Sequence, residues 1–275
     1  MSDKILNKSL EKAMYGGTSG FGAMVIQVSS LMWLRTIMNY QYKNGGNFKS
    51  TYQHLYKEGG ILRFYKGYPY AIMLGPISRF GDTAANAFAT NYFKDKAPLY
   101  IQTFYGSIIS SSWKISLMPL DSLKTNLQVN GNLGFNNIKN QVNKYGIKSL
   151  YNGASAGLTA NMVGHYPWFL TYNYLDNNLN KYEKEPFKKL IRNGGIGFIS
   201  AILSDCCSNS FRVLKTSRQT NFNNESYKDT VQNIIKNDGY RGLFGRGLKT
   251  RILTNGLQGI LFNITWKHLE SKLIN

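Results

Sequence analysis

The sequence predicts an all-α membrane protein with six transmembrane helices arranged in three pseudo-symmetric repeats. Three observations indicate this fold: six long stretches that carry few charges, glycines clustered in two of them, and two short signatures that recur along the chain. Polar residues interrupt each stretch at intervals, as expected when one helix face lines water and another meets lipid. The six stretches run over 14–40, 68–93, 99–127, 154–175, 190–214 and 248–269.

The glycines help to separate a membrane protein from a soluble bundle of six amphipathic helices. Gly16 and Gly20 have the spacing that lets membrane helices approach closely, and Gly194, Gly195 and Gly197 cluster in the fifth stretch. Each glycine inside a soluble helix would cost about 1 kcal/mol relative to alanine. The pattern therefore favours the membrane, with the soluble bundle as the alternative.

The charge of the chain is strongly positive, with 33 Lys and Arg against 14 Asp and Glu and a formal net charge of +19. Such charge suits nucleic acid or an anionic membrane surface, but a soluble nucleic-acid binder gives no account of the glycines and long stretches. The adjacent Cys206 and Cys207 are poorly placed to bridge each other, and His54, His165 and His268 are far apart. We therefore expect no enzyme, no catalytic residue, no metal site and no nucleic-acid partner.

The first recurring signature is complete in the segment 118–128, where Asp121 follows a proline, and Lys124 and Gln128 follow at helical spacing. In a helix these three side chains share one face, and the proline bends the helix there. A Lys-Thr or Arg-Thr pair recurs at intervals of about ninety residues. The three pairs occupy 35–36, 124–125 and 215–216.

The second signature follows each copy of the first and ends in a glycine that precedes the next long stretch. Its three copies occupy 64–67, 150–153 and 244–247. Short amphipathic segments such as 48–58 and 227–237 lie between the signatures. Each repeat is therefore predicted as long helix, short surface helix, long helix. The predicted repeats are 1–97, 98–188 and 189–275, packed as one structural domain.

Two signatures at matched offsets in three repeats resemble the mitochondrial carrier family. In that family the first helix of each repeat ends with Pro-x-[Asp/Glu]-x-x-[Lys/Arg], and an acidic residue with glycine precedes an aromatic-basic-glycine element. The resemblance covers the whole chain and implies a pseudo-threefold barrel whose surface helices face the matrix. It also implies a multi-pass protein of the mitochondrial inner membrane. Residues 1–11 show no signal-peptide core, so we expect any address to lie within the helices.

The resemblance implies a matrix gate in which the acid of one repeat pairs with the base of the next. The acid positions hold Met32, Asp121 and Arg212, so only Asp121 can form a pair, with Lys215, while Lys124 meets Met32 and Arg35 meets Arg212. The opposite gate, counted to 87, 90, 173, 176, 267 and 270, also lacks the family's pairs. The implied matrix-gate residues are Asp121, Lys124, Lys215, Arg35, Arg212, Gln128 and Gln219.

The resemblance also implies a substrate cavity and lipid sites. Arg79 would favour an anionic solute unless it pairs with Asp82, and His165 either tunes cavity charge near neutral pH or joins two helices. The backbone N–H groups at the helix-start glycines would bind the phosphates of cardiolipin. Cardiolipin is the one structural lipid expected, and no other cofactor is. The alternative is that these glycines only begin ordinary helices. Cavity positions are Arg79, His165, Asn161, Asn255, Thr254, Leu74 and Ala160; lipid positions are Tyr65, Lys66, Gly67, Tyr151, Gly153, Arg246 and Gly247.

Two functions remain open from the sequence. The first is a solute carrier that moves a small, anionic metabolite by alternating access. The second is a transport-inactive, carrier-like subunit or lipid-binding adaptor of a larger inner-membrane assembly such as a respiratory-chain complex. The degenerate gates favour the second function, and the family default favours the first. Expected partners are membrane lipids, including cardiolipin, with a small solute in the first case and complex subunits in the second.

Overall fold

The computed structural model describes residues 2–93, 98–182, 185–221, 223 and 225–274, and these residues form helices without any strand. Side chains at 2–20, 83, 86, 87, 90, 91, 99, 186, 263 and 266–274 lie outside the description. The all-α prediction is confirmed. The helices are α1 Ser2–Asn44, α2 Phe48–Phe64, α3 Tyr68–Phe93, α4 Leu99–Ser116, α5 Met118–Asn130, α6 Leu133–Tyr145, α7 Ala154–Asn178, α8 Pro186–Thr220, α9 Tyr227–Gly245 and α10 Leu248–Ile274, with a 3-10 turn at Ile147–Tyr151.

Six long helices form a closed ring. Each packs against two others in the order α1, α3, α4, α7, α8, α10, and α10 packs back on α1. α5 follows α4 after a break at Leu117, because Pro119 lacks the backbone N–H that would continue the helix. α5 contacts α1, α3 and α8, so it crosses one end of the ring. The short helices α2, α6 and α9 connect the long ones.

The polarity of the ring is reversed relative to a soluble bundle. Buried positions include many hydroxyl and amide side chains, such as Ser107, Ser200, Asn209 and Thr254. Large apolar side chains are instead exposed on every long helix, which is typical of a surface that meets lipid. Examples are Phe21, Phe80, Phe104, Leu170, Ile199 and Ile260.

One helix of the described residues is long and apolar enough, by length and composition, to cross a membrane. It covers Phe21–Asn44 within α1. The other long helices contain more polar residues than that criterion allows, consistent with the interruptions seen in the sequence. The all-α prediction therefore holds, while six membrane crossings remain a proposal.

The clustered glycines of the fifth stretch do not contact another helix. A methyl group at Gly194, Gly195 or Gly197 would meet no atom within 4 Å. Close approaches occur at Gly81 against Trp113 and at Gly164, whose carbonyl accepts from Ser204 Oγ at 2.7 Å. Clustering in the sequence does not reveal which side of a helix faces a neighbour. The side chains at 2–20, including the Gly16–Gly20 pattern, lie outside the described part.

Gly81→Ala is expected to loosen the contact between α3 and α4. The new methyl carbon would lie 1.9 Å from Trp113 Cδ1, so the indole would have to leave the carbonyl of Ile77, to which its Nε1 donates at 3.1 Å. We expect the free energy of unfolding to fall by about 1–3 kcal/mol. Thermal unfolding in detergent measures this loss, and Gly194→Ala, with open space around it, is the matched control. Equal melting temperatures for both variants would contradict the prediction.

Candidate functional site

A cavity of about 470 Å³ is enclosed by the ring. Residues of all six long helices and of α5 line it. Its volume lies in the range of sites for small molecules. Six predicted substrate positions are on its wall: Leu74, Arg79, Ala160, Asn161, Thr254 and Asn255.

His165 is the exception among the predicted substrate positions. It is absent from the cavity wall, and its Nδ1 lies 2.8 Å from Ser107 Oγ, so the ring joins α7 to α4. This contact agrees with the helix-joining alternative from the sequence. Counting residues from a signature fixes depth along a helix, but a small change of rotation turns a side chain from the cavity to a neighbour.

Arg79 and Asp82 both line the cavity but have separate contacts. The Arg79 guanidinium carbon lies 5.1 Å from the centre of the Phe262 ring, a cation–π distance between α3 and α10. Asp82 accepts a hydrogen bond from Ser110 and pairs with Lys114 Nζ at 2.8 Å. The Asp82 carboxylate therefore fastens α3 to α4.

Asp121 is the centre of the predicted gate. Lys124 Nζ lies 2.5 Å from Oδ1, Lys215 Nζ lies 2.7 Å from Oδ2, and Gln219 Nε2 donates to Oδ2 at 3.2 Å. The carboxylate stands in the first turn of α5, where the helix dipole also favours negative charge. One acid therefore holds two cations and an amide, and it connects α5 with α8.

The junction between α1 and α5 contains no ion pair among the described side chains. Met32 is fully buried there, and its sulfur lies 3.4 Å from Gln128 Nε2. Gln128 Oε1 accepts from Asn39 Nδ2 at 2.6 Å. The amides of Asn39 and Gln128 thus bond to each other, while Lys124 bonds to Asp121 on its own helix.

The third junction contains the two arginines that the sequence predicts to face each other. With the Gln258 amide oriented so that its oxygen faces Arg35, that oxygen accepts from Arg35 Nε at 2.8 Å and Nη2 at 3.1 Å. Arg212 Nε lies 3.3 Å from Ser208 Oγ. Both arginines line the cavity, and neither forms an ion pair with a carboxylate in the described part of the chain.

At the opposite gate only one predicted charged residue has a described side chain. Asp176 pairs with Arg192 Nη1 at 2.7 Å, between α7 and α8. Arg192 also donates to the carbonyls of Asp176 and Leu179, at 2.7 and 3.1 Å. The side chains at 87, 90, 267 and 270 lie outside the description.

One charged cluster was missed by the sequence analysis. Asp205, 3% exposed, accepts from Arg251 Nε and Asn255 Nδ2, each at 2.5 Å, and joins α8 to α10. Arg251 and Asn255 also line the cavity. An acidic residue inside a predicted membrane stretch is a signal that could have found this cluster.

The second-signature glycines have a steric role. Gly67 and Gly153 both have a φ of 85°, and an added Cβ would lie 2.9 Å from the carbonyl oxygen of Lys124 and 2.7 Å from that of Lys215. Each glycine therefore starts the second long helix of its repeat directly against the first helix of the next repeat. Gly247 makes the same kind of approach to Tyr42, at 2.8 Å.

Two of the predicted lipid-binding side chains, Tyr65 and Arg246, form hydrogen bonds within the protein. Tyr65 donates its hydroxyl to the Ser29 carbonyl at 3.1 Å. Arg246 has a 6% exposed side chain that binds Asp238 at 2.7 Å and the Lys43 carbonyl at 2.8 Å. Their polar atoms are committed to protein partners, so the lipid prediction rests on the glycines, Lys66 and the half-exposed Tyr151.

Arg246 belongs to a set of contacts that we call the rim latches: Arg63 and Arg246, each bonded to the end of a neighbouring repeat's first helix. Arg63 donates to the carbonyls of Gln128 and Val129 at 2.9 and 2.8 Å, and to Glu58 at 2.6 Å. Neutral amides fill this role at the end of α8, where Asn126, Asn130 and Gln141 donate to the carbonyls of Gln219, Thr220 and Asn221. The last carbonyls of a helix need such partners.

No group of three or more His, Cys, Asp and Glu side chains in the described part is placed to hold a metal ion. Cys206 and Cys207 are both free and exposed. Cations outnumber carboxylates on the cavity wall, and amides and hydroxyls complete its polar lining. Such groups bind and orient a charged solute.

The comparisons with known proteins agree with this architecture. The chain is 27% identical over 173 residues to "Putative mitochondrial carrier protein PET8" of Saccharomyces cerevisiae, which covers 56% of each chain. It is 24% identical over 274 residues to "Calcium-dependent mitochondrial ATP-magnesium/phosphate carrier protein 2" of Arabidopsis thaliana, covering 90% of this chain and 54% of that protein. The chain thus spans about half the length of these relatives. The family model for mitochondrial carrier protein matches residues 95–183 and 187–275, more than half of the sequence, and the chain therefore belongs to the mitochondrial carrier family.

Proposed function

We propose that this protein is a multi-pass carrier of the mitochondrial inner membrane that moves a small, anionic metabolite by alternating access. One observation carries the proposal, the charge of the cavity. Seven cationic side chains line the cavity against two carboxylates, Asp82 and Asp121. A cleft of one sign with low-dielectric walls concentrates solutes of the opposite sign. The seven cations are Arg35, Arg79, Lys114, Lys124, Arg212, Lys215 and Arg251.

The ring supports six membrane crossings within one structural domain. All six long helices expose apolar side chains outward, while the cavity and its charges lie within the ring. Backbone groups inside helices need no water, so such a ring can sit in lipid. Family membership supports a mitochondrial membrane location. The repeats at 1–97, 98–188 and 189–275 are the units of this proposed barrel.

The cavity is closed at the end where α1, α5 and α8 contact one another. We call this the gate end. The Asp121–Lys215 ion pair, the bonded amides of Asn39 and Gln128, and the rim latches hold it closed. Opening the gate end requires these contacts to separate. The free energy of opening is lowered because two of the three ion pairs implied by the resemblance are missing, and it is raised by the rim latches. Alternating access is compatible with this balance.

A second candidate function has its own supporting observation, namely that the rim latches, together with the amides at the end of α8, join every pair of neighbouring repeats at the gate end. A permanently closed gate would suit a transport-inactive subunit or lipid-binding adaptor of a larger inner-membrane complex. Cardiolipin at the starts of α3, α7 and α10 is compatible with either function, because free N–H groups of helix N-termini bind phosphate.

Reconstituted liposomes separate the two functions. We expect purified protein to exchange labelled succinate, citrate or inorganic phosphate, and Arg79→Ala to reduce the rate at least about tenfold through loss of a cavity cation. Arg241→Ala, which removes an exposed arginine of α9, is the matched control. Co-purification in fixed stoichiometry with a large complex, together with no exchange of any probe, would establish the second function instead.

A further inference from the structure

The gate end of the cavity holds two arginines whose partners are all neutral among the described residues. Arg35 on α1 bonds to the Gln258 amide, and Arg212 on α8 bonds to the Ser208 hydroxyl. α1 and α8 contact each other, and both side chains line the same cavity. A guanidinium that leaves water without an anion loses hydration that neutral oxygens only partly replace.

The acids nearby are already occupied. Asp121 binds Lys124, Lys215 and Gln219, and Asp82 binds Lys114 and Ser110. Asp205 stands two helical turns before Arg212, but its two oxygens accept from Arg251 and Asn255. The described part of the cavity therefore offers no acid to either arginine without breaking another ion pair.

We propose that the transported anion itself supplies the acid that the gate lacks. Acidic groups of the solute bind Arg35 and Arg212 at the same time and thereby hold α1 against α8. The inference rests on the proposed function and adds the position of the solute. It also implies that the solute stabilises the closed gate end beyond the contacts already present, because the solute binds the closed state more tightly than the open one.

The geometry of the two groups selects the class of solute. A guanidinium binds carboxylate or phosphate through two parallel hydrogen bonds, which a single ammonium cannot do. Two guanidiniums on different helices suit an anion with two or more acidic oxygens presented in different directions. The chemical class is therefore a small dicarboxylate, tricarboxylate or phosphate, rather than a monocarboxylate or a cation.

The test restores the missing acid. Arg212→Glu gives Arg35 a covalently attached partner at the position where the resemblance expects an acid. We expect it to raise the melting temperature without solute and to weaken the binding of citrate, succinate or inorganic phosphate at least about tenfold, measured by thermal shift. Arg212→Gln should weaken binding to a similar degree without raising the melting temperature. Arg241→Glu, with the same charge change on an exposed site, should match the wild type.

The outcomes separate this inference from the proposed function. Wild-type exchange together with full anion binding by Arg212→Glu or Arg212→Gln would overturn the inference and leave the carrier function standing. Equal binding of acetate and citrate by the wild type would also overturn it. If the wild type neither exchanges nor binds any of the three probes, the proposed function fails and the inference with it.

Discussion

Asp121→Asn is expected to destabilise the gate end by about 3 kcal/mol, since removing one member of a largely buried ion pair leaves its partners uncompensated. Lys124 and Lys215 would then repel each other without the carboxylate that lies 2.5 and 2.7 Å from them. The Asp121 side chain is 18% exposed, so water relieves only part of this cost. Asparagine has nearly the same shape, so no cavity contributes. Thermal unfolding in detergent measures the change.

The matched control for Asp121→Asn is Glu185→Gln. Glu185 pairs with Lys188 at 2.6 Å with both side chains more than half exposed, and such surface pairs contribute little. We expect the free energy of unfolding of the control to lie within about 0.5 kcal/mol of that of the wild type. If Asp121→Asn and Glu185→Gln have the same melting temperature, the shared carboxylate does not hold α5 against α8.

Arg63→Met is expected to cost about 3–5 kcal/mol because it removes a rim latch whose side chain is 5% exposed. Methionine keeps most of the apolar stem but none of the donors. The carbonyls of Gln128 and Val129 would lose their donors, and Glu58 would lose the closer of its two basic partners, with His54 remaining. Thermal unfolding reports the loss, and faster hydrogen exchange at the end of α5 would locate it.

Arg241→Met is the control for this latch, because Arg241 is an exposed arginine near the equivalent turn of α9. It loses the same charge and the same donors without exposing a helix end. A melting temperature close to that of the wild type is expected. If Arg241→Met is as destabilising as Arg63→Met, the effect belongs to net charge and not to the latch.

The long helices could be predicted closely because glycine and proline punctuate them. The stretch predicted over 68–93 coincides with α3, Tyr68–Phe93, and the stretch from 154 starts at the first residue of α7. Both starts follow a glycine with positive φ, which is a local property of the sequence. The break before α5 was likewise readable from Pro119.

The side-chain directions could not be predicted as well. Lys66 and Arg246 occupy equivalent positions when the signatures are aligned. In the first repeat, however, the rim latch is Arg63, three residues before Lys66. A long flexible arginine can reach the same helix end from two different sequence positions. The need to bond the last carbonyls of a helix therefore does not fix where in the sequence the arginine lies. The same reasoning applies to His165, where depth was predictable and rotation was not.

The contact of α1 with α10 has a consequence for the order of the repeats. Gln27 Nε2 donates to the Gln258 carbonyl and Thr250 Oγ1 to Gln41 Oε1, so the two helices run antiparallel, with the start of α1 and the end of α10 on the same side of the ring. A peptide joining those ends, with a cut between α3 and α4, would leave every helix beside the same neighbours. The ring is therefore suited to circular permutation, in which another repeat becomes the first in the chain.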